Sequence, residues 1–279
     1  MRPHVSYSEL SEFVEGCQWR WKLNYLEGLR SSIYSIHFDF GTAIHEAMEI
    51  LLKRKDPCTT EFAVEHFITT LQKLYAANNS KYDKPFLKDD LEILLFSGKR
   101  IIEFIKSCPE LQGVDFIHNE LALFESIDRT DEIDIKFKGF IDIVIKGKDK
   151  RGNPILWVCD FKTCTWGWGV ETRQDRWKQF QLFLYKHYLC KKYDLDPKNV
   201  RCAFILLKKR PAKGADPVEF FPVSAGPVSV QRALDALNGA ITEMSEHSQT
   251  GKFKKNKNHC IDKFGGRCPF LGTAHCPDD

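Results

Sequence analysis

Alternating hydrophobic and polar positions in the middle of the chain predict neighbouring β-strands. Side chains on a strand point to opposite faces with a period of two, so alternation indicates a strand with one buried face. The clearest row is Ile133, Ile135, Phe137, Gly139, Ile141, Ile143 and Ile145. Further strands are predicted at 116–123, 155–163, 200–207 and 218–223.

Apolar residues at helical spacing predict the remaining elements. Ser6 to Glu9 form a capping-box pattern, which predicts a helix that carries Leu10, Phe13, Val14, Cys17 and Trp21 on one inward face. A second helix is predicted from about Gly41, with His45 at the edge of its apolar stripe. Others are predicted at 60–78, 89–106 and 172–193, and a last one contains Val230 to Met244.

This order of elements predicts an α/β fold with a mixed central sheet flanked by helices. We expect a single domain over residues 1–279. Its parts are N-terminal helices at 1–55, a helical insertion at 56–112, an α/β core at 113–224, and a C-terminal helix with a Cys-rich tail at 225–279.

Ionisable residues interrupt two of the predicted strands. Asp142 lies on the face opposite the Ile row, and Asp160 shares a face with Lys162 on the next strand. If the strands pair through the turn at 147–154, these three side chains converge. Two carboxylates about 5 Å apart repel by ~3 kcal/mol at an effective dielectric near 20. A divalent cation between them is the usual reason that such an arrangement persists.

Composition restricts the protein class only broadly. Hydrophobic residues make up 43% and charged residues 28%, which is typical of a globular protein. No long apolar run predicts a membrane helix, and the first residues lack the apolar core of a signal peptide. A reducing cytoplasm is the expected location. The net charge of +3 says little about partners, but Lys208, Lys209 and Arg210 form one of several basic clusters.

The tail, which contains Gly and Pro, carries three cysteines, Cys260, Cys268 and Cys276. Thiols in a short irregular segment are typical of a metal-nucleated structure, which needs four ligands. A local fourth ligand, His259 or His275, would indicate zinc. A distant one, with Cys17 the best placed, would tie the two ends of the chain together.

These residues together resemble a known nuclease pattern. The order is His45, Glu120, Gly139-x-x-Asp142, Asp160-Phe161-Lys162-Thr163 and Gln181-x-x-x-Tyr185. It resembles the RecB-like branch of the PD-(D/E)XK nucleases, which have a restriction-endonuclease-like core. With Cys17 and the tail cysteines, the chain is similar to the iron–sulfur members: the AddB nuclease domain, CRISPR-adaptation nucleases and single-domain phage-type exonucleases. It differs in having Asp160 where Glu is frequent, and in a wider cysteine spacing.

The resemblance implies a Mg²⁺- or Mn²⁺-dependent DNA exonuclease that acts on ends or single strands. It implies metal binding by His45, Asp142, Asp160 and the Phe161 carbonyl, with Lys162 acting on the water and the phosphate. Gln181 and Tyr185 would position the strand and Lys162, with Glu120 in support. Cys17, Cys260, Cys268 and Cys276 would hold a [4Fe–4S] cluster, with zinc as the alternative.

DNA contacts and partners are also predicted. Trp166 and Trp168 are candidates for stacking on unpaired bases, with core packing as the alternative, and Lys208, Lys209 and Arg210 are candidates for phosphate contacts. DNA is the expected partner, together with a helicase or recombination partner or a homo-oligomer, and no membrane. Two other hypotheses remain open: a catalytically silent nucleic-acid-binding or assembly module, and a structural zinc protein whose strand carboxylates pair with lysines.

Overall fold

A six-stranded mixed sheet forms the centre of the protein. The structure is a computed structural model that describes residues 3–29, 34–53, 58–82, 88–129, 134–261 and 267–277. The strands are β1 (His4–Ser6), β2 (Asp115–Ser126), β3 (Lys136–Lys148), β4 (Pro154–Cys164), β5 (Val200–Lys208) and β6 (Val218–Val223). The predicted mixed sheet flanked by helices is therefore confirmed.

Eight α-helices surround this sheet in the described residues. They are α1 (Tyr7–Val14), α2 (Gln18–Trp21), α3 (Ile36–Leu51), α4 (Thr60–Asn78), α5 (Lys88–Ile105), α6 (Val170–Gln174), α7 (Arg176–Tyr193) and α8 (Pro227–Thr250). A π-helical turn at Lys22–Leu26 continues α2. Short 3₁₀ turns lie at Asn79–Lys81, Pro109–Leu111, Pro197–Asn199 and Lys257–His259.

The helices form one hydrophobic layer on each face of the sheet. Helices α1, α7 and α8 pack on one face, where Phe137, Leu184 and Phe204 are buried. Helices α3, α4 and α5 pack on the other, where Phe40, Ile143 and Ile205 are buried. The predicted boundary between 55 and 56 lies outside the described residues.

Three helix boundaries differ from the prediction, each because of a local cap or turn. The first helix ends at Val14, where the Glu15 and Gly16 N–H groups both donate to the Ser11 carbonyl and close its last turn. The second starts earlier, at Ile36, because Ser35 caps it by accepting a hydrogen bond from the His37 N–H. The predicted helix at 172–193 is divided by Asp175, which caps α7.

The alternation along β3 is broken beside Asp142. Phe137 and Ile141 face the layer that holds α7, whereas Ile143 and Ile145 face the layer that holds α3. The prediction that the whole Ile row shares one face was therefore wrong. Ile133, the first member of that row, lies outside the described residues.

Candidate active site

A fork in the sheet lies next to Asp142. One edge of β3 pairs with β1 at Lys136 to Lys138 and with β4 from Ile143 onward. The β3–β4 ladder pairs Ile143 with Cys159, so Asp142 and Asp160 face each other one step beyond its last pair. There the Phe161 N–H donates to Asp142 Oδ2 at 2.7 Å instead of continuing the ladder. The fork thus brings both carboxylates together, as the sequence predicted.

Glu120 is the residue of β2 that lies opposite Asp142. The ladder pairs Asn119 with Ile143 and Leu121 with Ile141, which leaves Glu120 between them. Its φ of 50° is left-handed, a conformation that costs a non-glycine residue about 1 kcal/mol or more. The side chain is exposed. On both strands, the side chains before and after this step are therefore buried on opposite faces of the sheet.

Helix α3 brings His45 to the fork. His45 Nδ1 lies 3.6 Å from Asp142 Oδ2, and its ring packs edge-on against Phe161 at 5.7 Å. Burial lowers the pKa of His45, with Lys162 adding to that effect and Asp160 opposing it. A neutral imidazole at neutral pH is the form that can bind a metal ion.

Gln181, on α7, connects the polar groups on the other side of the fork. Its Nε2 donates to Asp160 Oδ1 at 2.7 Å and to the Tyr185 hydroxyl at 3.2 Å. Its Oε1 accepts a hydrogen bond from Lys162 Nζ at 2.8 Å. The amide therefore fixes the relative positions of the carboxylate, the ammonium and the phenol.

Gly139 allows Tyr185 to approach the sheet. A Cβ at Gly139 would lie 2.7 Å from Tyr185 Cε1 and 3.1 Å from Phe137 Cε1. Burial, followed by the Asp160 charge, raises the pKa of Tyr185, so its hydroxyl stays protonated. It can donate a hydrogen bond into the site.

The two carboxylates differ in their surroundings. Asp160 is almost fully buried, and its Oδ2 makes a 2.7 Å ion pair with Lys162 Nζ but accepts no hydrogen bond from the described residues. Asp142 is half-buried. Burial and then the neighbouring Asp160 raise the pKa of Asp142 well above its usual value. A cation between them would offset this repulsion.

Glu49 is a nearby carboxylate that the sequence reasoning missed. It lies one turn after His45 on α3, and burial followed by the charges of Glu120 and Glu46 raises its pKa. It also adds to the negative potential at Asp142. The signal was available in principle, because residues four apart on a helix share a face.

The described side chains at the fork are of the types that bind a divalent cation, but they do not surround a single point as a complete set of metal ligands would. Carboxylate oxygens and an imidazole are suitable donors for Mg²⁺ or Mn²⁺. Within the described residues, however, no three His, Cys, Asp or Glu side chains are positioned to hold a metal ion. The positively charged Lys162 ammonium already lies 2.7 Å from Asp160 Oδ2. It would repel a metal ion bound to that oxygen.

The predicted nucleic-acid contacts fall into two groups. Trp166 and Arg210 are exposed. Trp166 follows the end of β4 and is 72% exposed. The backbone N–H of the exposed Arg210 donates to the carbonyl of Thr165, the residue before Trp166. Trp168 instead packs against Phe204, with ring centroids 4.8 Å apart.

The two lysines next to Arg210 have partners within the protein. Lys208 is 8% exposed and lies 3.5 Å from Glu219. Lys209 Nζ lies 3.2 Å from His37 Nδ1, and burial lowers its pKa. Both are therefore less accessible to DNA than their position in a basic run predicted.

The four predicted cluster cysteines line one cavity of about 470 Å³. Cys17 precedes α2, half-buried rather than on an inward helix face, and its Sγ accepts from the Asn256 N–H at 3.4 Å. Partial burial and then the nearby thiols Cys268, Cys17 and Cys276 raise the pKa of Cys260. The N-terminal segment and the tail therefore meet at this cavity.

Hydrogen bonds from the backbone and the side chain of Trp19 hold the tail in that position. The Trp19 N–H donates to the Lys254 carbonyl at 3.1 Å, and Trp19 Nε1 donates to the His275 carbonyl at 2.9 Å. His259 and His275 are both exposed, and only His259 of these two is among the residues that line the cavity.

Comparison with known families decides the broad assignment. The model of the PD-(D/E)XK nuclease superfamily matches residues 4–276. The chain belongs to this superfamily. Nuclease activity on DNA is therefore its class of function, and members of the superfamily typically use divalent metal ions. No curated protein matches the chain. The described part of the protein also contains no helix that is long and apolar enough to cross a bilayer.

Proposed function

We propose that this member of the superfamily is a Mg²⁺- or Mn²⁺-dependent DNA exonuclease that acts on ends or single strands. The observation that carries the proposal is the fork, where Asp142, Asp160 and Lys162 meet His45. Buried like charges at a broken ladder are costly for folding alone, and their retention is expected where a cation and a phosphate bind.

Each residue at the fork has a chemical role in this proposal. Asp142, Asp160 and His45 would hold the metal ion with the Phe161 carbonyl. When bound there, such an ion would supply an activated water and offset negative charge on the phosphate. Lys162 would leave Asp160 Oδ2 to bind the phosphate and orient the water, while Gln181 limits its movement.

Preference for ends or single strands is supported by the exposed ring of Trp166 beside Arg210. An aromatic ring stacks on any unpaired base, and a guanidinium neutralises backbone phosphate. The test is to compare linear and covalently closed DNA of one sequence, each single- and double-stranded. We expect rapid loss of nucleotides from linear DNA only. Equal cleavage of closed circles would identify an endonuclease instead.

We extend the proposal to a structural [4Fe–4S] cluster held by Cys17, Cys260, Cys268 and Cys276. The observation that supports it is that the four thiols line one cavity of about 470 Å³, where the N-terminal segment meets the tail. Zinc is the alternative. Anaerobic purification with iron, sulfide and zinc analysis tests this, since stoichiometric zinc without iron would exclude a cluster.

A catalytically silent DNA-binding module is the second candidate. It is favoured by the ion pair between Lys162 and Asp160, which neutralises one carboxylate without any metal. It predicts DNA binding with no turnover in Mg²⁺ or Mn²⁺, so the same digestion series separates the two functions.

A further inference from the structure

One face of the sheet leads along β3 to the catalytic fork and carries side chains that no role has yet explained. On the first three strands, Val5, Leu123, Phe137 and Ile141 are buried in the layer that holds α7. The residues that alternate with them point to the other side of the sheet. They are His4 and Ser6 on β1, Ala122, Phe124 and Ser126 on β2, and Lys136, Lys138 and Phe140 on β3. We call these eight residues the open face.

Two phenyl rings of the open face are exposed. Phe124 is 50% exposed and Phe140 is 44% exposed. The residue opposite Phe140 in the β2–β3 ladder is Ala122, which is itself exposed and is too small to cover the ring. The His4 ring lies 6.0 Å from the Phe124 ring. Neighbouring apolar rings left in water on one flat surface are costly, so they indicate a surface that contacts a partner.

The cations beside these rings indicate the charge of that partner. Lys136 Nζ lies 4.9 Å from the centroid of the Phe124 ring, and Lys138 Nζ lies 5.8 Å from the centroid of the Phe140 ring. None of the eight residues is acidic, and the exposed Asp134 lies outside them, before the end of β3 that is away from the fork. The open face therefore fits an anion that also has flat apolar surfaces.

The open face ends at the catalytic carboxylates. Phe140 precedes Asp142 by two residues, a distance of about 7 Å along β3. On one edge of β3, β1 pairs as far as Lys138 and β4 pairs from Ile143 onward, so a gap lies between them. A cavity of about 320 Å³ lies at this gap and is lined from both sides of the sheet. Its lining residues include Lys138 and Phe140 from the open face, Gln181 and Tyr185 from α7, and the buried Glu9.

We propose that the open face binds single-stranded DNA on its way to the catalytic fork. The inference rests on the proposed nuclease function and names the path of its substrate. Phe140 and Phe124 stack on unpaired bases, and Lys138 and Lys136 contact the adjacent phosphates. Aromatic side chains on a sheet surface form a platform for unpaired bases. A duplex fits less well, because its bases already stack on one another and their faces are not accessible to a flat sheet.

Fluorescence anisotropy in EDTA measures binding without cleavage. The probes are a labelled oligothymidylate and a labelled blunt hairpin duplex. We expect Phe140→Thr and Phe124→Thr each to weaken oligothymidylate binding about tenfold, because each removes one stacked base, and to change duplex binding much less. Lys136→Gln and Lys138→Gln should each reduce the steepness of log affinity against log salt concentration by about 0.7, the value for one lost phosphate contact on a single strand.

Two matched controls make the same chemical changes elsewhere. Lys146→Gln removes an exposed charge near the other end of β3, and Phe62→Ala removes a ring of α4 that is 56% exposed. Both should leave the affinity and the salt dependence unchanged. Phe124 and Phe140 are exposed, so their variants should fold, which circular dichroism melting verifies.

Cleavage kinetics in Mn²⁺ separate this inference from the nuclease function. Phe140→Thr should raise KM for single-stranded DNA about tenfold with little change in kcat, because the ring binds substrate and transition state equally. If the wild type binds oligothymidylate through Phe140 but cleaves no DNA, the nuclease function fails and the open face stands.

Three results would overturn the proposal. One is a wild type that does not bind oligothymidylate. Another is a pair of variants, Phe140→Thr and Phe124→Thr, that match the wild type in affinity and KM while the wild type cleaves DNA, because the rings then serve a different contact. The third is equal weakening of the oligothymidylate and the hairpin, because the surface then does not depend on unpaired bases.

Discussion

Replacing Asp142 with Asn should stabilise the metal-free protein while it abolishes metal binding at the fork. The change removes one of two facing charges but keeps an oxygen that can accept from the Phe161 N–H. Directly opposed residues of an antiparallel pair have Cβ atoms about 5 Å apart, and two unit charges at that distance repel by ~3 kcal/mol at an effective dielectric near 20. Lys162 offsets part of this repulsion, so we expect a gain of about 1–3 kcal/mol.

The gain should depend on pH in a defined direction. The pKa of Asp142 is raised in the folded state, so the folded protein holds a proton that the unfolded chain releases. The free energy of unfolding that this proton contributes is fully present below the unfolded pKa near 4. It is lost as pH rises through the folded pKa of Asp142. The wild type should therefore lose stability relative to Asp142→Asn as pH increases from about 4 to 8.

Chemical denaturation in EDTA across this pH range measures the change in the free energy of unfolding. In a thermal melt, each kcal/mol of that change corresponds to roughly 2–4 °C in melting temperature. Added Mn²⁺ should stabilise the wild type and leave the variant unchanged. Asp115→Asn, an exposed charge on the neighbouring strand, is the matched control. A metal-free Asp142→Asn protein that is less stable than wild type at pH 8 would refute the reasoning.

Three further predictions concern the surroundings of the fork and the tail. Lys162→Met should fold but cleave DNA at least about 10²-fold more slowly, and wild-type rates would exclude the lysine from the chemistry. Gly139→Ala and Gly98→Ala should each cost about 1–3 kcal/mol of stability through overpacking, but only Gly139→Ala, which displaces Tyr185, should slow cleavage per folded molecule. Cys17→Ser should release the iron of an anaerobically purified sample, whereas full retention would place the fourth ligand elsewhere.

The sequence predicted five of the six strands, because burial imposes alternation along a strand, but it missed the three-residue β1 (His4–Ser6). Residues 218–223 and 60–78 form elements with the predicted bounds. Asp142, Asp160 and Lys162 were identifiable because ionisable residues are rare on buried strands. The four-residue spacing predicted only that Gln181 and Tyr185 are neighbours on one helix, and the structure connects them by a hydrogen bond. Their assignment to the site came from the family resemblance.

The remaining features depend on contacts between distant segments. The change of face at Asp142 requires the left-handed Glu120 on another strand, which periodicity along β3 alone cannot indicate. Lys208 is in a basic run but is buried beside Glu219, a residue of β6. Asp175 is a good N-cap, yet the apolar period on either side of it favoured one continuous helix.

Cleavage of end-labelled linear DNA tests the metal-dependent nuclease centre most directly. Purified wild type and Asp160→Asn are compared in EDTA, Mg²⁺ and Mn²⁺, with circular dichroism to verify folding. We predict that the wild type cleaves only with a divalent ion and that the variant cleaves in none of the three conditions. Equal cleavage by the folded Asp160→Asn protein, or cleavage by the wild type in EDTA, would contradict a metal centre at this fork.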